Sequence, residues 1–199
     1  MNKRRLIVLL TLIFLIALPL NLYAAAATDA VKGGVDKILT KLRDPVFKQQ
    51  SREKQIEGIR ETINDIFDWT ELSKRTLGRN WRKFSPEQQK EFTGLFTTLL
   101  EGVYADRLLA YSDEKVVFEK ETELKKGRVE VASHIRLADG KKVPLNYRMI
   151  EKDGKWRVYD VVIEGVSMVK NYRSQFKKLL TNKKPEDLIE TLKKKTQQG

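Results

Sequence analysis

The chain has no cysteine and one histidine, His134, among its 199 residues. Without cysteine there are no disulfide staples, no thiolate nucleophile and no sulfur ligand for a structural metal. A single histidine is poor material for a metal site, which needs further donors at suitable spacing. As a general base it would need a positioned partner, and nothing around "VEVASHIRLADG" signals one. It reads as an exposed or half-exposed sheet residue beside Glu130 and Arg136. The glycines form neither G-x-G-x-x-G nor G-x-x-x-x-G-K-[ST], so a phosphate-cradling loop is unsupported. A G-x-S-x-G elbow is missing too, since "EGVSMV" supplies only Gly165 and Ser167. No metal, cofactor or catalytic residue is assigned.

Acidic residues are also in short supply, 27 against 39 Lys and Arg, which leaves a net charge of +12. Such an excess suits nucleic acid, an anionic lipid surface or an acidic protein partner. The N-terminus selects among these. "MNKRR" is a positive n-region, Leu6 to Leu20 is an uncharged apolar stretch, and "NLYAAAA" offers small residues for cleavage. Together they make the three-part pattern of a secretory signal peptide. An uncleaved membrane anchor is the competing reading, because the apolar stretch approaches the lower length limit of a spanning helix. Pro19 and the alanine run favour cleavage between Ala24 and Thr28. With no cysteine behind the apolar run, lipid attachment at the cleavage site is excluded. Residues 1–27 are therefore expected to be removed, leaving an exported, soluble domain over 28–199 with a net charge of +9. Export argues against nucleic acid. With no disulfides, stability must come from a core, and 172 residues suffice to bury one.

Apolar periodicity divides the mature chain. Val31, Val35, Ile38, Leu39 and Leu42 share one helical face, although Gly33 and Gly34 weaken it. Ile56, Ile59, Ile63, Ile66 and Phe67 mark a second amphipathic helix after Pro45. A third starts at Asp68 as N-cap and ends at Gly78. "FSPEQQ" is a capping-box start, Ser85 with Pro86 and Gln88, for a long helix carrying Phe92, Phe96, Leu100 and Tyr104. Beyond Tyr111 the period becomes two. Strands begin at Val116, alternate through Val129 to Leu137 and Val143 to Met149, and close with Trp156 to Ile163. The turns "KKGR", "ADGK" and "KDGK" make an antiparallel meander of four strands. Helical periodicity returns at Met168 to Leu180 and again after Pro185. The fold class is α+β, one domain, with no repeat, long linker or low-complexity tract.

Chemistry, if any, concentrates in "YDVVIEGVSMVKNYRSQF", residues 159 to 176, where Asp160, Glu164, Lys170 and Arg173 interrupt an apolar junction. Gly165 suits a tight bend and Ser167 the N-cap of the next helix. Asp160 is expected to pair with Arg173 as a structural fastener. What the chain has in quantity is large apolar side chains, either an ordinary core or the wall of a cavity for a small molecule.

The ordered pieces "FDW", "LGRNW", "FSPEQQKEFTGLF", "LLEGVYADRLLAY" and "KWRVYDVVIEGVSMVKNYRSQF" resemble the MlaC-type periplasmic phospholipid-binding proteins, also known as toluene-tolerance or ABC-transporter auxiliary components. The resemblance implies a monomeric, non-enzymatic carrier. Such a carrier moves phospholipid between an outer-membrane lipoprotein–porin complex and an inner-membrane ABC transporter complex. Independently of the resemblance, the lysines at 177, 178, 183, 184 and 193 to 195 offer either a solvated helical face or a landing patch for transient contact with an anionic membrane surface. The resemblance also implies an acyl-chain pocket between sheet and helices. Family position and periodicity together put Leu72, Leu77, Trp81, Phe96, Leu100, Tyr104, Val131, Ile135, Leu145, Tyr147, Val166, Met168, Val169 and Tyr172 on its wall. An isomerase or hydrolase using the same pocket is the enzymatic alternative, with Asp160, Glu164 or His134 as its acid or base. A solid interaction module docking through the lysine-rich C-terminal helices is the third reading.

Overall fold

A computed structural model describes residues 22–111 and 114–197. Most of the expected leader lies outside them. Helix α1 (Leu22–Arg43) leads through the short α2 (Pro45–Lys48) to α3 (Arg52–Ile66) and α4 (Trp69–Leu77). A 3-10 segment (Gly78–Lys83) joins α4 to the long α5 (Pro86–Leu109). Strands β1 (Lys115–Lys125), β2 (Arg128–Arg136), β3 (Lys142–Lys152), β4 (Lys155–Ile163) and β5 (Val166–Ser167) follow, then α6 (Met168–Leu179) and α7 (Pro185–Gln197). No described helix is long and apolar enough to cross a membrane.

The capping signals hold. Asp68 accepts from the backbone of Glu71 at 2.8 Å. Ser85 and Gln88 form the reciprocal capping box, which satisfies two otherwise unpaired donors of the first turn. Gly78, at φ 56°, ends α4 in a conformation a side chain would resist.

The sheet is an antiparallel meander in the order β1-β2-β3-β4-β5. It has five strands where periodicity gave four. The extra strand is only two residues long, pairing Ser167 with Val162 and Val166 with Ile163. Two residues cannot display an alternating pattern, so period counting misses such a strand. Helix α1 lies across one sheet face, against β1, β2 and β4. It runs through Gly33 and Gly34 without a break. The second glycine has a packing reason: a Cβ at Gly34 would fall 2.4 Å from Ile66 Cδ1, whereas one at Gly33 meets nothing within 4 Å. The glycine that weakens helix propensity lets α1 close onto α3.

Burial separates into two principal clusters. The helical one gathers Leu72, Leu77, Phe92, Phe96, Leu100, Val169, Tyr172, Phe176, Leu188 and Leu192 from α4 to α7. Phe92, Phe96, Tyr172 and Phe176 meet in stacked, tilted and edge-to-face pairs, with centroids 4.9–5.7 Å apart. The other lies between α1 and the sheet: Ala27, Val31, Val35, Ile66, Val129, Val131, Tyr147, Met149, Val158 and Val161. Phe67 and Met168 pack against both. They mark the seam where the helical layer meets the sheet layer.

Candidate functional site

Most of the expected wall residues fall on the two sides of that seam. Leu72, Leu77, Phe96, Leu100, Val169 and Tyr172 are buried in the helical cluster, with Trp81 and Tyr104 packed on its margin. Val131 and Tyr147 are buried in the sheet cluster and Leu145 borders it. Met168 touches both. Ile135 is half-buried on β2, outside either group. Val166 is 60 % exposed, because the two-residue strand that carries it forms the sheet's margin. Burial pushes the Tyr147 phenol well above its ordinary range, and the Tyr172 phenol upward as well.

The junction after β4 is built around a buried carboxylate. Asp160 is 2 % exposed. It accepts from Ser167 Oγ at 2.6 Å, from the Val169 backbone N–H at 2.9 Å and from Arg148 Nη1 at 3.2 Å. Arg148 in turn donates to Glu130 at 2.8 Å. Ser167 caps α6, accepting from the Lys170 backbone at 3.0 Å, and Gly165 turns the chain at φ 81°. The expected partnership of Asp160 with Arg173 does not form. Arg173 Nε donates instead to the Arg75 carbonyl at 2.7 Å. The cross-strand register sets Arg148 opposite Asp160, a neighbour that sequence distance hides.

His134 also differs from expectation: it is buried, 7 % exposed, with Nδ1 2.8 Å from Glu119. It pairs across β2 with Val117 and Pro144, on the face opposite the one bearing Val131 and Tyr147. Glu164 is exposed, at φ 49° in the β4–β5 turn. The three groups an enzyme would use thus serve a cap, a cross-strand pair and a turn. Among the described residues no cluster of His, Asp and Glu could hold a metal ion.

An open cleft of about 510 Å³, lined by Phe67, Asp68, Trp69, Thr70, Lys152, Asp153, Lys155 and Arg157, has no signature in the sequence pattern. The β3–β4 hairpin turns through Asp153 and Gly154, both at positive φ, the two-residue turn that Asp-Gly favours. Facing it, the α3–α4 junction bridges β4 through Phe67 and Val158. The Phe67 and Trp69 rings stack at 4.7 Å. "KDGK" signalled the turn, but no local pattern shows that a segment 84 residues upstream closes over it.

A helix layer over an antiparallel meander, with an apolar seam between the two layers, defines the class as a two-layer α+β domain. The model of the MlaC protein family matches residues 32–194, and the chain belongs to that family. It is 34 % identical over 140 residues to the intermembrane phospholipid transport system binding protein MlaC of Haemophilus influenzae, covering 66 % of this chain and 65 % of that protein. The alignment therefore spans just under two thirds of that relative. To the toluene tolerance protein ttg2D of Pseudomonas putida it is 25 % identical over 168 residues, 83 % of this chain and 78 % of that one. A phospholipid-binding protein from Ralstonia solanacearum, solved in complex with a phospholipid, superposes with a TM-score of 0.80 at 26 % identity. That match covers 87 % of this chain and 98 % of the other.

Proposed function

We propose that this protein is a phospholipid carrier that shelters acyl chains between its helical and sheet clusters. The observation that carries this reading is the seam itself: two large apolar groups from separate layers meet at Phe67 and Met168, in a fold shared with a phospholipid-bound relative. Each acyl methylene transferred out of water is worth about 0.8 kcal/mol. A two-chain lipid therefore crosses water only inside a protein that replaces nearly all of its apolar surroundings. A carrier must also release its load, which favours a wall of generic apolar side chains over specific polar clamps. Neither layer needs a reacting group for such work, and the protein is read as non-enzymatic.

The wider assignment follows from the family. The carrier is exported to the periplasm after loss of residues 1–27 and works as a monomer. There it receives or delivers phospholipid at an outer-membrane lipoprotein–porin complex and an inner-membrane ABC transporter complex.

Uptake from vesicles tests the proposal. Delipidated protein incubated with vesicles of fluorescent phospholipid should emerge from gel filtration carrying the label in near-stoichiometric amount. Protein that never acquires label, while remaining folded, rules the carrier out.

A further inference from the structure

We propose that the cleft between the α3–α4 junction and the β3–β4 hairpin is the mouth of the acyl-chain site, and that Lys155 and Arg157 hold the phosphate of the carried lipid's head group there. The inference rests on the carrier reading above and adds to it a place and a chemistry.

Three independent features converge on this cleft. The first is position. Phe67 lines the cleft and also packs against both apolar clusters, so the cleft is where the seam between the layers reaches solvent. Trp69, stacked on it, belongs to the cleft and to the margin of the helical cluster. The two rings form an apolar sill leading from solvent to the seam. Aromatic side chains of this kind, apolar in body and tolerant of water at one edge, suit the boundary between an acyl chain and its head group.

Charge is the second feature. Lys152 and Lys155 stand directly opposite each other across the hairpin, a like-charge pair that costs stability where nothing offsets it. Asp68 offsets one of them, lying 3.4 Å from Lys152 Nζ. Among the described residues Lys155 has no ion pair. Arg157 Nη1 donates to the Asp65 carbonyl at 2.9 Å; a carbonyl orients the guanidinium without neutralising it. Two cations on one face of a hairpin end, one of them already oriented, remain for an anion. Asp153, at the tip of the turn, is the acidic residue of the lining that no cation pairs. Its carboxylate sets the balance of the lining, where Asp68 and Asp153 against Lys152, Lys155 and Arg157 leave a net charge of +1.

The third is size. A cleft of about 510 Å³ lies within the range of small-molecule sites, ample for a glycerophosphate head group. Held there, the phosphate would keep its hydration on the open side while the chains pass over Phe67 into the seam. The lysines at the other end of the sequence fit this role less well, since Lys193 and Lys194 are already paired with Glu91 and Glu190.

The test uses the full mature protein and vesicles of phosphatidylethanolamine or phosphatidylglycerol, comparing wild type with K155E/R157E and with K183E/K184E. The second variant makes the same charge change in the connection between α6 and α7. Exposed charge contacts of this kind are individually modest, so the K155E/R157E variant should take up either lipid roughly fivefold to tenfold less at subsaturating lipid. K183E/K184E should match wild type. Should K155E/R157E fold poorly by circular dichroism, K155Q/R157Q replaces it, with the same direction expected. Equal loss for both lipids supports phosphate contact. Loss for phosphatidylglycerol alone would overturn that assignment in favour of unspecific attraction to anionic lipid. Wild-type uptake undiminished by the paired substitution would overturn the mouth and leave the carrier intact. Failure of wild type to take up any lipid would bring down the carrier reading, and this inference with it.

Discussion

At the scale of single residues, Asp160 is the side chain on which the last strand and α6 depend. Its carboxylate holds a hydroxyl, a backbone N–H and a guanidinium at once. Replacing it with alanine leaves the Val169 N–H and the Ser167 hydroxyl without their acceptor, while Arg148 keeps Glu130. Losing three hydrogen bonds to one buried carboxylate costs about 3 kcal/mol or more. Urea unfolding of Asp160→Ala should show a loss of that order, and Arg173→Ala, which gives up one exposed bond, well under half of it. Reversed magnitudes would restore the Asp160–Arg173 fastener that the junction's sequence suggests. Tyr147 makes a second residue-scale prediction. Burial raises its pKa in the folded state above the ordinary value of 10.0. Below that value both states are protonated and the full stability is present. Above it the unfolded phenol ionises while the folded one does not, so stability falls as pH rises. The slope approaches about 1.4 kcal/mol per pH unit for this group. Thermal melts from pH 9 to 11 should therefore decline less steeply for Tyr147→Phe than for wild type.

At the scale of elements, the adjacent glycines of α1 give a paired test. Gly33→Ala meets open space and should stabilise the protein by up to about 1 kcal/mol through helix propensity. Gly34→Ala drives a methyl against Ile66 and should cost about 1–2 kcal/mol despite the same propensity gain. If the second substitution also stabilises, α1 does not pack on α3 as closely as described. These glycines also show how far local pattern reaches. The element boundaries that carry caps, at Asp68, Gly78, Ser85 and Ser167, were readable because a cap is a contact between residues three or four apart. The role of Gly34 was not, because its cause is Ile66, a residue on another helix. His134 was misplaced for the same reason: alternation gives its face correctly, but its burial depends on Glu119 and the strands either side. The two-residue β5 was too short for any period.

For the whole molecule, sequence order was informative enough to name the family, while the arrangement of apolar groups into two clusters with a seam was not visible. Periodicity picks out buried side chains without saying which layer each joins. That is why the wall residues divide between clusters, with Val166 at the exposed margin. The cleft at Phe67 escaped notice because it is made by two segments far apart in the chain. The division into layers carries its own prediction. Val169→Glu places a charge in the helical cluster beside the seam and should reduce lipid uptake by tenfold or more. Ile59→Ala, in the separate group formed by Leu42, Phe47 and Ile59, should cost about 2–5 kcal/mol of stability. It should leave uptake by the remaining folded protein near wild type. Equal losses of uptake in the two variants would show that folding, rather than the seam, governs lipid binding.

Phospholipid is the proposed cargo. Native mass spectrometry of the protein purified without detergent from the periplasm of a bacterial host measures it most directly. The expected main species has the mass of the processed polypeptide plus phospholipid, and on collisional activation it releases the lipid and leaves the bare chain. A bare polypeptide throughout, in protein that also accepts nothing from vesicles, would contradict that assignment.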